Sequence, residues 1–397
     1  MATISIPPAL ARRRNYAGPA LFSYGFRPFF LGGAIWAALS VLLWLPLYLG
    51  EVALPTAMNP VDWHVHEMLY GYVPAIIAGF LLTAIPNWTG RLPVNGAPLA
   101  ALSALWLAGR IAVFFSAEIG VWVAAVVDLA FLPCFAGLAL REILAGQNWR
   151  NLRVLAVLGI LFVGNAVFHF EAIEYGYAID GTRVGLGAVL MLIMLIGGRI
   201  VPSFTHNWIN RENPGRLPKS FSRFDAISLA AAAIALVGWV VAPDHASAGV
   251  LLMLAGILHA VRLARWAGDR TVADRLVFIL HVGYAFVPLG FFLVGASILW
   301  PAEVPASAGL HAWTAGAIGV MTLAVMTRAS LGHTGQALVA SAGTQAIYVF
   351  VVAAALARVV APWAYTIELL HLAAFCWALA FMGFAILYGP LLTRVRR

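Results

Sequence analysis

"WHVHEMLYGYVPAIIAGFLLTAIP" (residues 63–86) decides the fold. About 20 predominantly apolar residues in a helix cross the hydrocarbon core of a bilayer. This run is that long, and its ionisable groups, His64, His66 and Glu67, crowd one end. Working outward, comparable runs occupy 28–49, 97–116, 119–140, 152–171, 182–202, 225–243, 246–265, 276–299, 309–329, 338–360 and 362–388. Short connectors carry the Gly, Pro, Asn and Trp. The chain therefore reads as an all-α, polytopic integral membrane protein with about 12 transmembrane helices. One integral membrane domain covers 1–397, with a short cytoplasmic N-terminal arm (1–27) and a cytoplasmic loop (203–224) as its longest polar stretch.

Composition agrees. Hydrophobic residues make up 62% and charged residues 10%, where a soluble domain has roughly a quarter charged. Cys134 and Cys376 lie in separate apolar runs and form neither a CxxC pair nor a disulfide framework. No small-residue cleavage site follows a short apolar core, so no cleaved signal peptide is expected.

The net charge of +8 raises nucleic acid as a partner, and the placement of the charges removes it. With the N-terminus in the cytoplasm, all but three of the 24 Lys and Arg fall on the cytoplasmic side or at inner helix ends; Arg183 and Arg358 lie outside and Arg110 lies within the third span. That bias follows the positive-inside rule and calls for an even number of spans. A bacterial inner membrane fits, with both termini cytoplasmic, because helices do not suit the barrel-forming outer membrane.

Even-numbered spans end in similar phrases: "TAIPNWTGR" (83–91), "GRIVPSFTHNW" (198–208) and "MTRASLGHTG" (326–335). They recur at intervals of about four helices, which suggests a pseudo-threefold, four-helix repeat.

Ionisable side chains at membrane depth are rare and mark functional sites by default, and neutral imidazole is the commonest side-chain metal ligand. The orientation sorts the histidines into two layers. His64, His66, His169 and His311 lie near the outer face, and His259, His281 and His333 in the inner half. Residues two apart on a helix point about 200° apart, so His64 and His66 suit two different centres, or His64 belongs to the loop and only His66 to the helix. The sequence reads HEMLY, not HExxH, which excludes a zinc-peptidase helix. Outer histidines of helices two, five and ten are expected to converge on a metal; imidazoles suit copper, zinc or non-haem iron.

His259 and His281 flank a short turn at similar depth and are expected to face each other as axial haem ligands. The alternative for them is an interhelical hydrogen bond. Arg199 and Arg328 could bind haem propionates or serve as positive-inside anchors. Glu67, Asp128 and Glu368 are candidate proton-relay groups, and Glu67 and Tyr70 are the candidate catalytic pair.

Seven segments carry a family resemblance: "LFSYGFRPFFLGG" (21–33), "WHVHEMLYGY" (63–72), "AGFLLTAIPNWTGR" (78–91), "GGRIVPSFTHNW" (197–208), "LHAVRLARW" (258–266), "LHVGYAF" (280–286) and "HAWTAGAIGVMTLAVMTRASLGHTG" (311–335). They are similar to those of the NnrS family of bacterial membrane proteins of the nitric oxide response. The resemblance implies haem b, with copper or a second iron as a further metal, and a role in nitric oxide metabolism or tolerance. His64, His66, His259, His281, His311 and His333 stand at matching motif positions. Nitric oxide is then the small-molecule partner, the bilayer the surroundings, and a quinol or other donor the source of electrons. Three functions stay open: reduction of nitric oxide, non-enzymatic binding in stress protection, and transport.

Overall fold

The structure is a computed structural model and describes residues 16–364 and 367–394. The first fifteen residues of the expected N-terminal arm, with Arg12, Arg13 and Arg14, lie outside the described residues, as do Arg396 and Arg397. Among the described residues, twelve helices are long and apolar enough to cross a membrane: α1 (Phe26–Tyr48), α2 (Pro60–Thr89), α3 (Ala97–Phe114), α4 (Val121–Ala145), α5 (Trp149–Glu174), α6 (Asp180–Glu212), α7 (Arg223–Val241), α8 (Ala246–Ala264), α9 (Arg275–Leu299), α10 (Ala306–Thr334), α11 (Ala342–Ala364) and α12 (Ile367–Thr393). No strand occurs among the described residues. Below, the near face is the one beside residues 20–25, and the far face is where α1 ends and α2 begins.

The largest departure from the sequence reading is at α6. The expected loop 203–224 is helical through Glu212. Val201, Thr205 and Ile209 are buried, and their four-residue spacing is one helical face packed inward, so the polar residues between them ride on the exposed side.

The four-helix repeat is visible in the packing. α12 lies along α1 as α4 lies along α5 and α8 along α9, which closes the chain into a ring. Arg27 fastens that closure by donating to the carbonyls of Leu391, Leu392 and Arg394 at 2.8–3.2 Å. α2, α6 and α10 touch one another inside the ring. Each of these three contains a wide π-helical segment: Glu67–Tyr72, Ile193–Gly197 and Ala312–Val320. Such turns are rare and gather at functional sites. They free carbonyls for side chains: Gly71 O accepts from Trp106 Nε1 at 2.9 Å and Met194 O from Arg262 Nη1 at 3.0 Å.

Candidate metal centre

The site is built where α2 begins. Asn59 caps this helix by accepting from the amides of Val61 and Asp62, and Pro60 occupies the first turn, where its missing N–H costs nothing. Asp62 Oδ2 also accepts from the Ala178 amide at 3.1 Å, which ties the start of α2 to the α5–α6 connection. Glu171 closes that connection, its carboxylate accepting from the amides of Ile179, Asp180 and Gly181 at 2.9–3.1 Å. Those are the orphan donors at the start of α6. The caps fix the depth of His66 on α2 against His169 on α5.

Three ligand atoms then meet. His66 Nε2 lies 3.2 Å from His169 Nε2 and 3.3 Å from Asp128 Oδ2, and His169 Nε2 lies 3.0 Å from the same oxygen. All three residues are buried, and together they form a group able to hold a metal ion. A tetrahedral ion with bonds of about 2.0–2.1 Å has ligand atoms roughly 3.3 Å apart, so the donors already stand close to the edges of such a polyhedron.

The surrounding groups aim the ligands. His66 Nδ1 donates to Glu67 Oε1 at 3.0 Å. That leaves the Nε2 lone pair turned toward His169 and Asp128, the carboxylate–histidine arrangement that orients metal-binding imidazoles. Arg110 on α3 bridges the two carboxylates, donating to Glu67 Oε2 at 2.7 Å and to Asp128 Oδ1. Trp36 Nε1 donates to Glu67 Oε2 at 2.6 Å, and Asn165 Nδ2 to Asp128 Oδ2 at 2.8 Å. With neutral imidazoles, the two carboxylates and one guanidinium leave one negative charge, which a cation neutralises. Gly71 is what lets Arg110 through: a Cβ there would run into the guanidinium and stand 2.9 Å from Glu67 Oε2. A small, partly open cavity lined by Ala57, Met58, Ser116, Ala124 and His169 adjoins the centre on its far-face side.

The other predicted residues are dispersed. His64 does not join His66; it stacks on Trp44 with centroids 4.2 Å apart. His311 does not join His66 and His169 as expected. It donates from Nδ1 to Ser307 O at 2.7 Å and accepts from Arg358 at Nε2, also at 2.7 Å. His259 and His281 turn apart. His259 contacts Tyr284 Oη (2.9 Å) and Ser228 O (3.2 Å), whereas His281 Nε2 meets Thr205 Oγ1 at 2.8 Å. His333 lies against Tyr24 and Phe26. Arg199 is exposed, and Arg328 lies over the Phe204 ring at 4.3 Å. Tyr70 is beside His66, but its hydroxyl donates to Gly181 O at 2.6 Å.

A porphyrin does not fit between the imidazoles of His66 and His169. Their facing nitrogens are too close, and Asp128, Asn165 and Phe168 close the sides. The donor set suits a bare ion.

Asp128 was visible in the sequence as a charge within an apolar run, and so was Arg110. Nothing local says that α3 and α4 face α2 and α5, so the sequence alone does not bring either residue to the metal.

A family model described as "NnrS protein" matches residues 20–396, nearly the whole chain. No curated protein and no solved structure matches it.

Proposed function

Taking as premise that the chain belongs to the NnrS family, we propose that it is a metal-binding inner-membrane protein of the nitric oxide response, whose ion is held by His66, His169 and Asp128. The observation that carries this reading is the meeting of two imidazole nitrogens and a carboxylate oxygen from three helices at 3.0–3.3 Å. Two histidines and one carboxylate with open positions form the donor set of non-haem ferrous iron; copper is the next metal such ligands suit. A bound ion of this kind supplies an open coordination position where a small neutral molecule such as nitric oxide can sit.

The chain's own residues prepare that position. Glu67 holds the His66 tautomer, Arg110 bridges both carboxylates, and the walls of α2–α5 bury all three ligands. His169 Nε2 and Asp128 Oδ2 lie within hydrogen-bond distance at 3.0 Å, and a cation held there would take the place of the proton between them. The family resemblance implies haem b as well, but no step is derived through haem because it does not fit this centre. The Lys and Arg bias supports an inner membrane with cytoplasmic termini, which turns the centre toward the outer face.

The test is elemental analysis of protein purified without chelators, alongside His66→Ala and His169→Ala. Wild type is expected to hold about one iron or copper per chain and each variant to lose it. Anaerobic nitric oxide should then give a paramagnetic adduct in wild type alone. Equal metal content in all three proteins would refute the assignment.

A further inference from the structure

Arg358 is the odd member among the inward-turned arginines. Arg110 has Glu67 and Asp128, Arg262 has Asp225, and Arg27 has three carbonyls. Arg358, six residues before the far end of α11, has no carboxylate within ion-pair distance among the described residues. Its one hydrogen bond there is to His311 Nε2 at 2.7 Å. That bond has a fixed direction. Ser307 O can only accept, so His311 Nδ1 carries the proton and the neutral ring accepts from the guanidinium. The cation is thereby held inward instead of reaching to the interface, with four of its five N–H donors unspent.

A second surplus lies beside it. His64 is within electrostatic reach of both Arg358 and His311. It stacks on Trp44, and the stack carries two buried nitrogens, His64 Nδ1 and Trp44 Nε1, with no partner among the described residues. A buried polar group left unpaired is costly, and an isolated charge more so. One negatively charged acceptor would answer the charge and the vacant donors together.

We propose that His64, Arg358 and Trp44, with His311 holding the guanidinium in place, form an anion site at the far-face ends of α1, α2, α10 and α11, separate from the metal centre, and that it takes a monovalent oxyanion. A guanidinium binds planar oxyanions through two parallel N–H groups, and the stacked rings supply a flat wall. The same chemistry is offered by a free ion such as nitrite or formate and by the phosphodiester of an anionic phospholipid headgroup.

The experiment uses the full chain in nanodiscs of neutral lipid. Nitrite, nitrate and formate are titrated calorimetrically, and phosphatidylglycerol retention is read by native mass spectrometry. One bound ion or one retained lipid per chain is expected, and the arm that responds identifies the source. Arg358→Gln should weaken binding about 10- to 100-fold, the loss expected for hydrogen bonds to an ionised group. Arg358→Lys keeps the charge without the fork and should fall between. His64→Phe keeps the stack on Trp44, loses the imidazole, and should also weaken binding, which carries the test should Arg358→Gln fail to fold. His66→Ala should bind as wild type does. No binding in either arm, or binding unchanged in Arg358→Gln and His64→Phe, overturns the proposal.

Discussion

At the residue scale, the metal centre separates two carboxylates by task. Asp128 offers an oxygen to the ion position, and Glu67 holds the far nitrogen of His66. Glu67→Gln keeps the shape and removes the charge that fixes the imidazole. Metal affinity is expected to drop about 10- to 100-fold, the usual cost of losing such a partner, and a competitive chelator titration measures it. Unchanged affinity would mean that Glu67 serves packing alone. Arg110 joins the two acids, so Arg110→Ala leaves two buried carboxylates without their cation. Stability in detergent is expected to fall by about 3–5 kcal/mol, read as a lowered unfolding midpoint. A loss below about 1 kcal/mol would place the balancing charge elsewhere. Much of this was legible in the sequence. His66 and His169 stood in the outer layer, and Asp128 and Arg110 stood out as charges in apolar runs. What was hidden is which charge meets which, because that depends on helix adjacency. His311 shows the limit: it shares a layer with His66 but faces Arg358.

At the element scale, the helices were the most legible feature, because each must satisfy its own backbone in lipid and be apolar over its whole length. Their ends were less so. The last turns of α6 are polar outward and buried inward, so mean hydropathy reads a loop where a helix continues. The π segments were not legible at all, since a wide turn changes registry and leaves composition as it was. Their effect is local and large. In α2 the segment begins at Glu67, directly after His66, and it opens Gly71 O to Trp106. Gly71 is also the gap through which Arg110 reaches Glu67. Gly71→Ala should therefore push the guanidinium off the carboxylate and lower metal content, while helix content by circular dichroism stays as in wild type. Full metal occupancy in this variant would show that Arg110 has another route.

At the scale of the whole molecule, the three repeats share an architecture and differ in chemistry. Each surrounds a π-containing inner helix, and each holds a polar cluster containing an arginine and at least one histidine. The first cluster converges on an ion position. In the second, Arg262 binds Asp225, Met194 O and Tyr284, whose hydroxyl reaches His259; its donors are spent on protein acceptors, which suits a structural tie. The third leaves donors over. Divergence among equivalent positions is what a repeated scaffold allows, since each four-helix unit needs its neighbours for packing but not for side-chain chemistry. The ring also closes: α12 packs on α1 as the helices at the other two junctions pack, and residue 394 ends on the face where residues 16–25 begin. The break between α12 and α1 is then one of three equivalent junctions. A permuted chain that links residue 394 to residue 20 and opens in the exposed α10–α11 connection, at 336–339, cuts none of the contacts around His66, Asp128 and His169. Exposed connections are where such cuts are tolerated. The permuted protein is expected to insert, to hold as much metal per chain as wild type, and to lose it on His66→Ala. A permuted protein that inserts and folds but holds no metal would mean that the order of the helices along the chain, and not only their packing, sets the centre.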